Sequence, residues 1–178
     1  MSIPAGTYRF GPDNGTLAVN TGRTGAVAKA GHDLVLLVTG WEGTLEIAAD
    51  SRPSRLEVRA DGGSLKVQEG TGGMQALDDD DRANIEQTID DEVLRRDQIT
   101  LRSTGVAAAG DGLRVTGDLT LLGRTAPLAL DVAVNDGTLT AAGVIRQTDF
   151  GMKPYSALFG ALKVADEVRV SLAAAWPA

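Results

Sequence analysis

Four stretches of the chain alternate apolar and polar residues with period two. Ser54–Ala60 puts Leu56 and Val58 on one face and Arg55, Glu57 and Arg59 on the other. Leu113–Leu121 puts Leu113, Val115, Leu119 and Leu121 together, and Leu128–Val134 and Val168–Leu172 repeat the pattern. Successive strand side chains point to opposite faces, so each stretch predicts a half-buried β-strand. Weaker runs at Thr16–Val19, Leu34–Thr39, Gly43–Ile47, Gln98–Ser103 and Thr138–Ile145 bring the expected count to about eight or nine strands. Asp61-Gly-Gly63, Gly110-Asp-Gly112 and Asn135-Asp-Gly137 separate them, and the last suits a tight hairpin because all three residues tolerate positive φ. Parallel pairing needs long crossovers, and only one connection is long enough. The pattern predicts an antiparallel meander that closes on itself or stacks on a second sheet.

One segment has a different period. Ile85, Ile89 and Val93 recur every four residues, with Leu94 beside them, which predicts a helix over about 79–94 lying on the barrel or across its end. Asp78 to Asp81 stand at its start and Arg95 and Arg96 at its finish, both complementing the helix dipole. No domain boundary is visible, so residues 1–178 read as one domain.

Composition narrows the chemistry. Without a cysteine there is no disulfide, thiolate metal site or cysteine nucleophile, and the single histidine excludes a multi-histidine metal site. Of the 24 acids, nine fall between Asp78 and Asp97 beside only three arginines, so the net charge of −7 is concentrated there and no basic stripe offers itself to nucleic acid. The aspartate run is not an EF-hand loop: counted from Asp78, the sixth and twelfth positions hold Ala83 and Ile89 instead of Gly and Glu. It reads as a solvated helix start. Gly70-Thr-Gly-Gly73 lacks the Lys and hydroxyl of a phosphate loop and reads as a flexible connection into the helix. His32 and Asp33, adjacent on a strand, should face opposite ways; with no nucleophile elbow, His32 reads as a structural or ligand-lining residue and the chain as a non-enzyme. No apolar run is long enough for a transmembrane helix, and the N-terminus lacks a signal-peptide pattern, so the expected location is cytoplasmic unless a leader has been removed.

The predicted inward residues are mostly Leu, Val, Ile, Ala and Gly, and three of the seven aromatics (Phe150, Tyr155, Phe159) crowd one segment that reads as a loop capping the core or a cavity. An eight-stranded barrel is at the size where side chains either fill the interior or leave room for one ligand. Small linings favour room.

Gly117-Asp-Leu-Thr-Leu-Leu-Gly-Arg-Thr-Ala-Pro-Leu128 resembles a signature of the YceI-like family. Arg146-Gln-Thr-Asp-Phe-Gly-Met152 is similar to its Arg-x-Asp-Phe-Gly segment with one extra residue, and Val164–Val170 to its closing strand. Tyr8, Gly40 and Ser103 also match, while Leu101 stands where the family favours Phe and Gly31-His-Asp-Leu34 departs from the common pattern. The resemblance implies an all-β, antiparallel, eight-stranded lipocalin-like barrel with one helix. It implies binding, sequestration or transport of a polyisoprenoid, isoprenoid quinone or fatty-acid-like chain, with no catalytic residues, cofactor or metal. Gly117 and Gly123 are then expected to permit bends and Pro127 to start a strand. Related barrels commonly pair, so a homodimer is implied too. Strand parity and resemblance together name Leu56, Val58, Leu101, Val115, Leu119, Leu130, Val132 and Ile145 as the lining, with Phe150 and Phe159 near a mouth. The alternative is a filled barrel serving as a stress-related scaffold, its acidic helix meeting a basic partner.

Overall fold

The protein is described as a computed structural model over residues 4–50, 52–157 and 162–176. In chain order its elements are β1 (Gly6–Phe10), β2 (Gly15–Thr21), β3 (Arg23–Thr24), β4 (His32–Val38), β5 (Trp41–Ile47), β6 (Pro53–Asp61), β7 (Leu65–Gly72), α1 (Asp79–Thr88), β8 (Gln98–Ala109), β9 (Gly112–Leu121), β10 (Arg124–Asn135), β11 (Thr138–Arg146), β12 (Ser156–Ala157), β13 (Leu162–Val164) and β14 (Glu167–Ala175). Eleven strands form one antiparallel sheet in the order β1-β5-β6-β8-β9-β10-β11-β14-β2-β4-β7, and β12-β13-β3 form a small second one.

Eleven segments trace only eight strand paths. Phe10 faces Gly43 and Leu17 faces Val38, so β1 and β2 run in series along β5 and β4. Trp41 faces Ala60 and Val38 faces Leu65, which makes β6 and β7 a second broken path beside the same partners. Backbone bonds from Thr39 N–H to the Ser64 carbonyl (3.0 Å) and from Asp61 N–H to the Gly40 carbonyl (2.8 Å) carry the pairing across the break. Gly11–Asn14, Thr39–Gly40 and Gly62–Ser64 therefore act as kinks within bent strands. The Asp61-Gly-Gly63 signal marks a kink, not a hairpin. The first path meets the last where β2 pairs with β14, and the meander closes into a barrel.

The ring has two slits, because β1 ladders only with β5 and β7 only with β4 among the described residues. At one, Trp176, just past β14, stacks on Tyr8 of β1 with ring centroids 4.7 Å apart and lies 6.0 Å from Phe10. At the other, α1 covers the free edge of β7. Arg82 of α1 donates to the Val67 and Gln68 carbonyls (3.2 and 2.9 Å), and Glu86 accepts from the Val67 N–H (2.9 Å). Edge groups left unpaired by the sheet are met by helix side chains, which is one way proteins protect an edge.

The helix begins where the sequence places it. Asp78 accepts from the Asp81 N–H (2.8 Å) and Asp81 accepts from the Asp78 N–H (3.2 Å), a reciprocal capping box. Its second half differs from expectation: Ile89–Val93 form a π-helical turn closed by Leu94 N–H to the Ile89 carbonyl, and Arg95 and Arg96 leave it at positive φ. Two further expectations are corrected. Gly70–Gly72 belong to β7 and pair with His32–Leu34; the backbone ladder, which needs no apolar side chains, holds them. Pro127 lies inside β10, where that strand pairs only with β9; β11 joins from Asp131, so the missing N–H breaks no second ladder. Gly117 stands opposite the register shift between Ser103 and Gly105, where the neighbouring strand bulges, and it also allows close approach, since a Cβ there would lie 2.7 Å from the Arg102 carbonyl oxygen. The Asn135-Asp-Gly137 hairpin forms as expected, with Asp136 and Gly137 both at positive φ.

Candidate functional site

The alternation that builds each strand also builds the interior. From β4, residues 32, 34, 36 and 38 face inward, and from β10, residues 128, 130, 132 and 134 do. These walls enclose two adjoining chambers. The inner one, about 170 Å³, is lined almost wholly by apolar groups and lies under Phe10, Trp41 and Trp176. Its size is near that of engineered apolar cavities of ~150 Å³ that stay dry and admit small apolar molecules. The outer one, about 540 Å³, lies between the barrel and α1 and is within the range of ordinary ligand pockets. Val19, Val38, Ile99, Leu119, Ile145 and Val170 line both and stand where the two adjoin, the waist of the hollow.

Leu56, Val58, Leu101, Val115, Leu119, Leu130, Val132 and Ile145 all stand around the inner chamber. Leu119 and Ile145 also reach the outer one. Phe150 is placed differently: it closes the short 3-10 turn Gln147–Phe150, buried in the core, and lines neither chamber. Phe159 lies outside the described residues. Tyr155 lines the outer chamber, at its rim.

Sequence parity missed the aromatic roof, since Phe10 and Trp41 sit at strand ends and Trp176 beyond one. It also missed the helical wall. Ile85, Ile89, Val93 and Leu94, read as a stripe that lies on the barrel, line the outer chamber directly. The available signal was that stripe itself: an apolar helix face must cover something apolar.

Apart from Ser171 in the inner chamber, polar side chains appear only toward the outer one. Gln147 is buried there and donates through Nε2 to the Ala165 carbonyl (2.9 Å). Asp81, Asn84 and Tyr155 are exposed and mark the rim, with Thr21, His32 and Thr88 beside them. His32 Nε2 lies 2.7 Å from the Gln75 carbonyl, whereas Asp33 accepts from the Arg23 N–H (3.0 Å) and lies 3.6 Å from its Nε. The two neighbours thus serve different partners, as strand alternation requires, and His32 lines the chamber.

The contact between α1 and β7 is electrostatic as well as steric. Burial opposes ionisation of Glu86, but hydrogen bonds from Lys66 Nζ (2.8 Å) and the Val67 N–H, with the charges of Lys66 and Arg82, outweigh it and hold its carboxyl below the ordinary 4.5. A carboxyl depressed on folding stabilises the fold above its unfolded pKa, and that stability is lost as pH falls through the folded one. Acidification from pH 4.5 downward should therefore loosen the helical wall. Urea midpoints of the wild type and Glu86→Gln should differ at neutral pH and converge in acid; a constant gap would contradict this.

Residues 18–176 match the sequence model of the YceI-like domain. No curated protein matches the chain. Among solved structures, Burkholderia cenocepacia BcnA is similar in fold at 17% identity and a TM-score of 0.59, over 89% of this chain and 94% of BcnA. A Campylobacter jejuni YceI protein, crystallised with large solvent channels, is similar at 13% identity and a TM-score of 0.56, over 80% of this chain and 85% of its own.

Proposed function

The chain belongs to the YceI-like family, and from that premise we propose that it binds and carries, or sequesters, one apolar or amphiphilic chain: a polyisoprenoid, an isoprenoid quinone or a fatty-acid-like molecule. The observation that carries this reading is the two-chambered hollow, almost wholly apolar in its inner part and bordered by a group of polar side chains at its outer end. A void forfeits packing contacts and so lowers stability, and occupation by an apolar chain restores them. An elongated hollow with a waist suits a chain better than a compact molecule, with the tail under Trp41 and the polar end near His32. Binding then comes from buried apolar area, at about 25 cal/mol per Å² before ordering costs. Chain carriage needs no catalytic group, and His32 serves here as a lining residue.

The scaffold alternative requires a filled barrel, and the interior is hollow. Of the helix's charged side chains, Glu86 and Arg82 are spent on β7 and Asp78 and Asp81 on capping, which leaves Asp79 and Asp80 exposed as its acidic face. Pairing of two copies belongs to this reading as well; light scattering should report a particle of two chains, and a monomer at every concentration removes it.

The direct test is calorimetric titration with a series of straight-chain alcohols. Affinity should climb with chain length while methylenes still enter the barrel, by up to ~0.8 kcal/mol each, and level off once the hollow is full. Affinity independent of length would overturn the proposal.

A further inference from the structure

Charge around the hollow is one-sided. Among the described residues no Lys or Arg side chain lines either chamber, while Asp81 stands at the rim of the outer one. Four cations near lining positions are engaged elsewhere, and the exposed Lys153, Lys163 and Arg169, which flank lining Met152, Val164 and Val170, do not line the chamber. Arg82 donates to the β7 carbonyls, and Lys66 holds Glu86 at 2.8 Å. Arg146, between lining Ile145 and Gln147, is exposed and paired with Glu167 at 2.9 Å. Arg23 donates to the Gly31 carbonyl and lies 3.6 Å from Asp33. The positive end of the α1 dipole, which would attract an anion, is already met by Asp78 to Asp81. The rim does offer neutral hydrogen-bonding groups: Thr21, Asn84, Thr88 and the Tyr155 hydroxyl. The single imidazole is engaged too: a carbonyl only accepts, so His32 Nε2 carries a hydrogen toward Gln75.

An anionic head drawn to this rim loses hydration, finds no cation among the lining side chains and meets a carboxylate. An alcohol or amide exchanges water for protein hydrogen bonds at little loss. We infer that this protein selects chains by head group, accepting uncharged hydrogen-bonding heads such as an alcohol or amide and rejecting the phosphate or carboxylate of the same chain. The inference rests on the chain-carrier reading above and narrows it.

The experiment titrates the full chain with farnesol and with farnesyl phosphate, below their aggregation concentrations, following the fluorescence of the tryptophans at the inner chamber. Farnesol should bind at least about tenfold more tightly. In Asn84→Lys, which puts a cation in place of a neutral rim group without touching the apolar walls, phosphate affinity should rise and the gap between alcohol and phosphate should narrow. Equal or tighter phosphate binding by the wild type overturns the head-group selection and leaves the carrier reading standing. So does a gap that Asn84→Lys fails to narrow, since the missing cation would then not be its cause. Binding of neither ligand overturns both.

Discussion

Replacing Val170 with phenylalanine should lower the affinity for a long single-chain lipid at least about tenfold, and by much more than it lowers that of a chain short enough for the outer chamber. Val170 lies at the waist, opposite Val19 on the neighbouring strand and beside Gly143, which offers no side chain to be displaced. A chain that reaches from one chamber into the other must pass this residue, and a ring there would block it. Overpacking a filled core costs roughly 1–3 kcal/mol, but here the added carbons enter space that is already open, so the fold should tolerate them. Equal affinity of both proteins for the long chain would mean that it binds outside the barrel. An unchanged thermal midpoint separates a blocked passage from a damaged fold.

Stripping bound lipid should lower the thermal midpoint substantially. A ligand held at a hundred times its dissociation constant stabilises by about 2.7 kcal/mol, provided the unfolded chain does not bind it. For a domain of this size each kcal/mol moves the midpoint by roughly 2–4 °C, giving an expected drop of about 5–10 °C. Adding back a chain alcohol should restore it. A stripped protein that melts at the original temperature, with or without added lipid, would show that the interior contributes no ligand-linked stability.

The barrel was legible because its walls follow one rule. Period-two alternation at Leu56–Val58, Leu113–Leu121 and Leu128–Val134 fixes inward faces whatever the neighbours are, and the short turns between runs permit only antiparallel pairing. The kinks were not legible. Thr39–Gly40 and Gly62–Ser64 carry the residues of a hairpin turn, and nothing local distinguishes a bend within a strand from a reversal; only pairing with a distant partner does. β7 was hidden for a related reason, since Glu69-Gly70-Thr71-Gly72 has no apolar alternation and is held by backbone bonds to β4. The lining was read from strands alone, so it lacked the helix that forms the other wall. Phe150 illustrates the limit of arguing from residue type: an aromatic beside a predicted mouth filled the core under a 3-10 turn instead.

Native mass spectrometry of the protein purified gently from cells tests the hollow most directly. The account predicts a mass above that of the polypeptide, discharged as one lipid-sized species on collisional activation and recovered by organic solvent as an uncharged, long-chain molecule. A bare polypeptide mass, with nothing extractable and no uptake of added chain lipids, would contradict it.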